Sequence, residues 1–531
     1  VMIYTVENAM VFLLGWEIAA LAAWLLVIWD YRNQKIRFAG FNYLVSTHIG
    51  LLFLIAAFLV LYSSAGTWDF SGFQKILSVS SERRDVTFLL LVTSFGLKSA
   101  FFPFHTWLPR AHSAAPAHVS ALMSGVIHKA GLFALLKFLL MIGTPEPWMG
   151  WYLVGFSALS MFGGVLYTVA QRDLKRLLGY SSTENVGIAG IGFGIGSLGL
   201  AWGNPTLVAL GFTGGILHVL NHALFKCLLF YGAGAIYRQT HTVDIEHLGG
   251  LARKMPSTAV LFLIGSLAIA ALPPFNGFVS EFLLYSGLFE GSLPAGTATL
   301  ALSGVAALLA LVGGISALSV TRAFGVVFLG APRDPEHVAH GDVGAAMRVP
   351  MLLHAAGAVL LGLVPSLGVA IASAPASMFG GDAAIPLASA GTVQRVVLLI
   401  AAGGAAVALL RWTLPGRVRR FGTWGCGYTA PSPRMQYSGF SFSDPFAQIF
   451  APLLPHLHRG GAPEGPFPLA SSMQTHCVDA VEHRMFEVIG NGERTVKTIS
   501  ARMTESARFG FALTLVTIVA GILLILLSEG P

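Results

Sequence analysis

The sequence predicts an all-α polytopic membrane protein with about twelve transmembrane helices, two of them broken. Hydrophobic residues make up 55% of the 531 and charged residues only 11%, with a mean hydropathy of +0.71, which is too apolar for a water-soluble domain. Apolar runs recur at the length needed to cross about 30 Å of hydrocarbon, and their Leu and Ala content favours helices over barrel strands. Lys and Arg gather in alternate loops.

In order, the runs cover residues 8–29, 42–62, 86–109, 117–142, 151–170, 183–202, 206–236, 257–290, 297–329, 350–372, 393–411 and 508–527. The first begins almost at once after Val1, which stands where Met is expected, so the chain reads as a fragment lacking its true N-terminus. Alternating the loops puts Arg32, Lys35, Arg37, Arg110, Arg172, Lys175, Arg176, Arg238, Arg253, Lys254, Arg333 and Arg348 on one side. The other receives Lys75, Arg83 and Arg84. That asymmetry assigns the basic loops to the cytoplasm and places Val1 outside. The net charge of +7 is mostly this topological signal, and basic residues in short loops without interleaved aromatics exclude a nucleic-acid groove.

The long polar stretch 412–507 precedes the last span. Its first part is basic and rich in Pro and Gly, and it turns helical from about Thr475, with Val478, Val481, Met485, Val488 and Ile489 at helical spacing along a membrane or partner surface. Cys227, Cys426 and Cys477 are far apart and form no C-x-x-C, so the chain cannot by itself hold an iron–sulfur cluster.

Two runs carry helix breakers beside a charge. Lys98 is followed by Pro103 and Pro109, while Pro273, Pro274 and Gly277 precede Glu281. Proline removes an intrahelical hydrogen bond, so both helices are expected to be discontinuous, unless the prolines only kink them. The two runs lie five spans apart and therefore antiparallel, the sequence mark of an inverted repeat with its ion site near the midplane.

Ionisable side chains at membrane depth are expensive, about 2.5–3.5 kcal/mol each on insertion scales, and are read first as an ion path. Glu17, Lys98, Lys129, His218, His222, Lys226 and Glu281 all lie inside apolar runs. Burial favours the neutral amine and a nearby carboxylate favours the ammonium, so a Glu17–Lys98 pair would be switchable. His218, His222 and Lys226, at i, i+4 and i+8, stack on one drifting face over roughly 12 Å, suited to stepwise proton transfer. Two such histidines can hold zinc, but no acidic ligand accompanies them on this helix, and its one thiol, Cys227, follows His222 by five residues and so lies off their face. His128 and Lys129 point about 100° apart, so Lys129 is the better relay and His128 reads equally as a neutral hydrogen-bonded histidine. Lys175 reads as a relay or a positive-inside anchor, and Glu184 as a relay or a helix cap. His105, His112, His118, His241 and His247 fall at loops or helix ends without ligand spacing.

Several strings together resemble the proton-pumping antiporter-like subunits shared by respiratory complex I, Mrp-type cation/proton antiporters and membrane-bound group 4 nickel–iron hydrogenases. They are Gly15-Trp16-Glu17, the run from Lys98 to Pro109, His128 to Gly131, Asp173 to Tyr180, His218 with His222 and Lys226, and Leu272 to Glu281. Ser182 to Gly187, Thr423 to Tyr428 and Pro433 to Tyr437 look most like the hydrogenase-4 and formate hydrogenlyase branch. The resemblance implies about fourteen core helices in two inverted five-helix repeats, of which roughly the first four would be missing here. It divides the chain into the end of the first repeat (1–142), the second repeat (143–329), additional helices (330–411), a cytoplasmic segment (412–507) and a C-terminal helix (508–531). Glu17 and Lys98 would form the entry pair, Lys129 the link, His218, His222 and Lys226 the central relay, and Glu281 the exit.

The function implied is ion movement across a bacterial or archaeal inner membrane, driven by redox chemistry in partner subunits. Those partners would be other membrane subunits and a soluble redox arm, holding any Fe–S, Ni–Fe or quinone site, with no cofactor or metal in this chain. The rival expectations are an Mrp-type Na+/H+ antiporter subunit and a non-pumping scaffold for a hydrogenase arm.

Overall fold

The computed structural model describes residues 2–79, 81–292, 296–414, 426–430, 432–459, 474–485 and 487–488. It forms two compact units, Val1–Ala451 and Pro452–Pro531. The first is a helical bundle: α1 (Met2–Thr5), α2 (Ala9–Val27), α3 (Gln34–Ala65), α4 (Phe70–Val79), α5 (Ser81–Ser99), α6 (Trp107–Ala114), α7 (Ala117–Leu122), α8 (Lys129–Ile142), α9 (Pro147–Ala170), α10 (Leu174–Trp202), α11 (Pro205–Thr240), α12 (Pro256–Ile269), α13 (Asn276–Ser292), α14 (Thr297–Phe328), α15 (Ala345–Leu363), α16 (Pro365–Ala376), α17 (Ala384–Thr413) and α18 (Gly439–Ile449). A π-helical turn, Met123–Ile127, joins α7 to α8.

Among the described residues nine helices are long and apolar enough to cross a membrane, with α7 and α8 counted as one, against the dozen expected. The difference lies in particular segments. Glu82, Arg83, Arg84 and Asp85 open α5, and the 257–290 run divides into α12 and α13; the 350–372 run also divides, where Pro365 starts α16, but α15 is still among the nine. The expected span 508–527 lies outside the described residues.

α10 is the bundle's inner helix and packs most extensively against α9 and α11. Small residues permit that approach. A Cβ on Gly187 would stand 2.5 Å from the Met161 amide nitrogen, and one on Gly192 would stand 2.6 Å from the Gly215 Cα. The helix begins earlier than residue 183, because Asp173 caps it by accepting from the Arg176 amide at 2.8 Å. At its other neighbour, the fully buried Arg322 of α14 donates to the carbonyls of Thr168 (3.4 Å), Val169 and Gln171 (2.5 Å), satisfying the end of α9.

Part of the polar stretch folds onto the bundle. Gln436 exchanges two hydrogen bonds with Ala331 (2.7 and 3.1 Å), the Phe440 amide donates to Glu246 Oε1 at 2.9 Å, and α18 packs on α9 and α14.

In the second unit β1 (His456–Arg459) pairs antiparallel with β2 (Gln474–Cys477), His456 opposite Cys477. The expectation of helix from Thr475 is corrected here, while the chain stays almost entirely helical. Helix begins at Ala480, where Asp479 Oδ1 accepts from the amides of Val481 (3.0 Å) and Glu482 (3.1 Å). Cross-strand backbone pairing and a following Asx cap decide the local structure against the apolar spacing.

Candidate functional site: a buried network of titratable side chains

Both helix breaks use the same backbone arrangement. After α5, Ala100 takes φ +57° and Pro103 follows three residues later; after α12, Ala271 takes φ +51° and Pro274 follows three residues later. A left-handed alanine costs on the order of 1–2 kcal/mol, so each break is held by its surroundings. The Trp107 indole donates to the Leu97 carbonyl (2.9 Å), and Ser99 Oγ donates to the His128 carbonyl (3.0 Å). At the second break Asn276 Nδ2 donates to Asn221 Oδ1 (3.1 Å), while Asn221 Nδ2 donates to the Asn276 carbonyl (2.7 Å).

Pro109 and Gly277, expected as breakers, instead lie in the first turns of α6 and α13. A proline there loses no helical bond, since first-turn amides have no intrahelical acceptor. Gly277 serves close approach, because a Cβ would stand 2.0 Å from the Ala268 carbonyl oxygen. Pro103, Pro273 and Pro274 do sit in the non-helical links.

Lys98 is the penultimate residue of α5 and is buried. Its Nζ lies 5.3 Å from the Trp16 ring centroid and has no hydrogen-bond partner among the described residues. The direct pair with Glu17 does not form. Glu17 Oε1 instead lies 3.1 Å from Nε2 of His48 on α3, and the neighbouring indole of Trp16 packs against Lys98. Sequence reasoning missed His48, although it is the lone histidine of the 42–62 run.

Lys129 Nζ lies 2.6 Å from His222 Nδ1 and also donates to the Ser124 carbonyl. His128 Nδ1 is 2.9 Å from the Met123 carbonyl, which accepts from it, and its ring centroid is 5.7 Å from that of His222. Both neighbours thus approach α11, although an ideal helix would direct them about 100° apart. The π-helical turn immediately before them changes the local geometry, as such turns do at functional positions.

His218, His222 and Lys226 share α11 but meet three different helices. His218 Nδ1 is 3.0 Å from Ser280 Oγ on α13, His222 meets Lys129 on α8, and Lys226 donates to the Leu178 carbonyl (2.8 Å) on α10. Four residues of α-helix rotate about 40° past a full turn, which fans the three outward. Glu184 lies well inside α10 and is no cap. It faces Ser181 and Ser316, and acts electrostatically on both Lys226 and Glu281. Glu281 is buried on α13 beside Ser280.

Two histidines assigned to loops or helix ends are fully buried. His105 stacks at 4.7 Å on the Phe102 ring. His112 packs at 4.6 Å on Phe230, and its charged neighbours are Lys226, Lys175 and Lys129. Neither ring nitrogen of His112 has a hydrogen-bond partner among the described residues. Its signal was helical spacing: it follows Leu108 by four on a face that also buries Ala111 and Ala115. Lys175 donates to the Ala115 carbonyl at 2.7 Å, just beyond α6.

The sequence profile described as "NADH:quinone oxidoreductase/Mrp antiporter, TM" matches residues 7–309. The chain is 39% identical over 480 residues to "Hydrogenase-4 component B" of Escherichia coli (strain K12), covering 85% of this chain and 70% of that one. It is 34% identical over 457 residues to "Formate hydrogenlyase subunit 3" of the same strain, covering 84% and 72%. Its fold matches a chain of the archaeal membrane-bound sulfane sulfur reductase with a TM-score of 0.73 at 22% identity, over 98% of this chain and 81% of that one. The spanning helices, the two breaks and these similarities together show that the chain belongs to the NADH:quinone oxidoreductase/Mrp antiporter transmembrane family.

Proposed function

We propose that this chain is the proton-translocating membrane subunit of a hydrogenase-4 or formate hydrogenlyase-type complex, moving protons in response to redox chemistry in its partners. The observation that carries the reading is the buried contact of Lys129 with His222. At 2.6 Å an ammonium and an imidazole exchange a proton directly, and the second ring nitrogen of His222 is left to pass it on. Lys98 with Glu17 and His48 forms the entry group, and Lys226 with Glu184 and Glu281 the opposite group. Lys98 packs on Trp16 and Glu17 pairs with His48, so transfer between Lys98 and Glu17 runs through water or a rotamer change. His112 links Lys226 to Lys175 at the basic-loop side.

Names of relatives, repeated breaks and loop charge support the remaining assignments. Residues 1–142 are the end of the first inverted repeat and 143–329 the second, each with one Ala–Pro break. Residues 330–411 add helices, and 412–507 form the cytoplasmic segment. The basic loops face the cytoplasm of a bacterial or archaeal inner membrane, and a soluble redox arm with the metal and quinone chemistry docks on further membrane subunits.

The test is proton uptake by inverted vesicles holding the full-length assembled complex, with redox turnover measured in parallel. Lys98→Ala is expected to abolish proton movement and leave turnover detectable. Unaltered movement sinks the relay, and sodium-driven pH changes without any redox partner would assign the chain to Mrp-type exchange instead.

A further inference from the structure

Away from the buried network, two surface loops bring together His247, Asp334 and His337. One nitrogen or oxygen ligand atom from each lies within 4.8 Å of the others. His247 belongs to the loop after α11, and the other two to the loop after α14, whose 3-10 turn is Pro335–His337. We propose that this cluster is a divalent transition-metal site of two imidazoles and one carboxylate, clamping the end of α11 to the loop that follows α14.

Four observations favour a metal over a simple His–Asp contact. His337 Nδ1 donates to the Thr240 carbonyl (2.8 Å), which fixes its tautomer and leaves the Nε2 lone pair available. Metal-bound histidines commonly hold their other nitrogen this way. His247 Nδ1 and Asp334 Oδ2 are 3.0 Å apart, close to the separation of about 3.3 Å between neighbouring ligand atoms around a tetrahedral zinc ion. The ring centroids of His247 and His337 are 5.6 Å apart at 72°, and two imidazoles bound at about 2.0–2.1 Å on such an ion place their centroids about 5 Å apart. The loops are also held in place independently of any ion. Asp334 Oδ1 accepts the Glu336 amide at 3.1 Å, and Arg333 donates to the Leu248 carbonyl at 2.8 Å.

An ordinary ion pair needs only His247 and Asp334, whereas a ligand atom of His337 also lies within 4.8 Å of both. The His247 side chain is 52% exposed, so the fourth position opens to water and the site can load from solution. Nitrogen and carboxylate ligands with an open position suit zinc, and also nickel or cobalt.

The test uses the full chain purified in detergent, stripped with EDTA and titrated with zinc chloride by calorimetry, with cobalt absorption as a second readout. The expected result is one zinc per chain that is weakened roughly tenfold or more by His247→Gln, Asp334→Asn and His337→Gln alike, and a zinc-dependent rise in melting temperature that the variants lack. X-ray absorption of the zinc-loaded protein is expected to show imidazole ligands. Because His247 is exposed, its variant folds as the parent does, and melting in EDTA checks this. Absence of zinc binding, or binding that is the same in H247Q and H337Q as in the parent, overturns the proposal.

Discussion

Lys129 on α8 and His222 on α11 are in direct contact, Nζ to Nδ1 at 2.6 Å, while His128 beside Lys129 is tied by its own Nδ1 to the Met123 carbonyl. One imidazole is thus a partner in proton exchange, and the other serves first to close the π-helical turn. His222→Asn is expected to lower redox-driven proton uptake at least about tenfold, a lower bound on the roughly 10²–10⁴-fold that a positioned acid–base group contributes. His128→Asn should retain most of it. Parallel vesicle assays of the two variants check this, and equal losses would contradict the distinction.

Gly277→Ala is expected to destabilise the bundle by about 1–3 kcal/mol, since its methyl group would overlap the Ala268 carbonyl. The second break and the Asn221–Asn276 amide pair would shift with it. Thermal melting in detergent reads the loss, and an unchanged melting temperature would show that the break can relax freely.

Arg322→Ala should cost about 3 kcal/mol or more, because the carbonyls of Thr168, Val169 and Gln171 lose a charged donor in a buried place. Arg322→Lys is expected to recover part of that, since one ammonium cannot reproduce the planar fork. Equal melting temperatures for both variants would argue against carbonyl capping.

Asp342 supplies a pH dependence outside the spanning helices. Burial alone would raise its carboxyl, but hydrogen bonds from the Thr258 hydroxyl (2.6 Å) and from the Val343, Thr258 and Ser257 amides outweigh it and hold the group below the usual carboxylate range. Its folded value lies below its unfolded value, so the stabilisation is fully present above the ordinary pKa of about 4 and is lost as pH falls through the depressed one. The melting gap between the parent and Asp342→Asn should be widest near neutral pH and close in acid. A gap that does not change with pH would remove Asp342 from this role.

Fold class and most helices were legible because apolar length and proline position are local signals. Helix α10 was foreshortened, since the polar residues Asp173 to Tyr180 hid a buried start that its Asp173 cap marks. The site was legible as residue types at membrane depth, but neighbours were not. Glu17 meets His48 in preference to Lys98, and Glu184 answers Lys226, because helix packing decides which faces meet. His112 was given no role since α6 is short and lies beyond a break, outside the pattern of full-length spans. The strand at Gln474–Cys477 depends on a partner strand distant in sequence, which period alone cannot supply.

The central claim, that the Lys129–His222 contact carries protons, is tested most directly by a double-mutant cycle on protons moved per redox turnover in the full-length assembled complex. Lys129→Met and His222→Asn should each lower the ratio, and the double variant should fall no further than the worse single one. A ratio left at the parental value by either single substitution, or additive losses in the double, would contradict it.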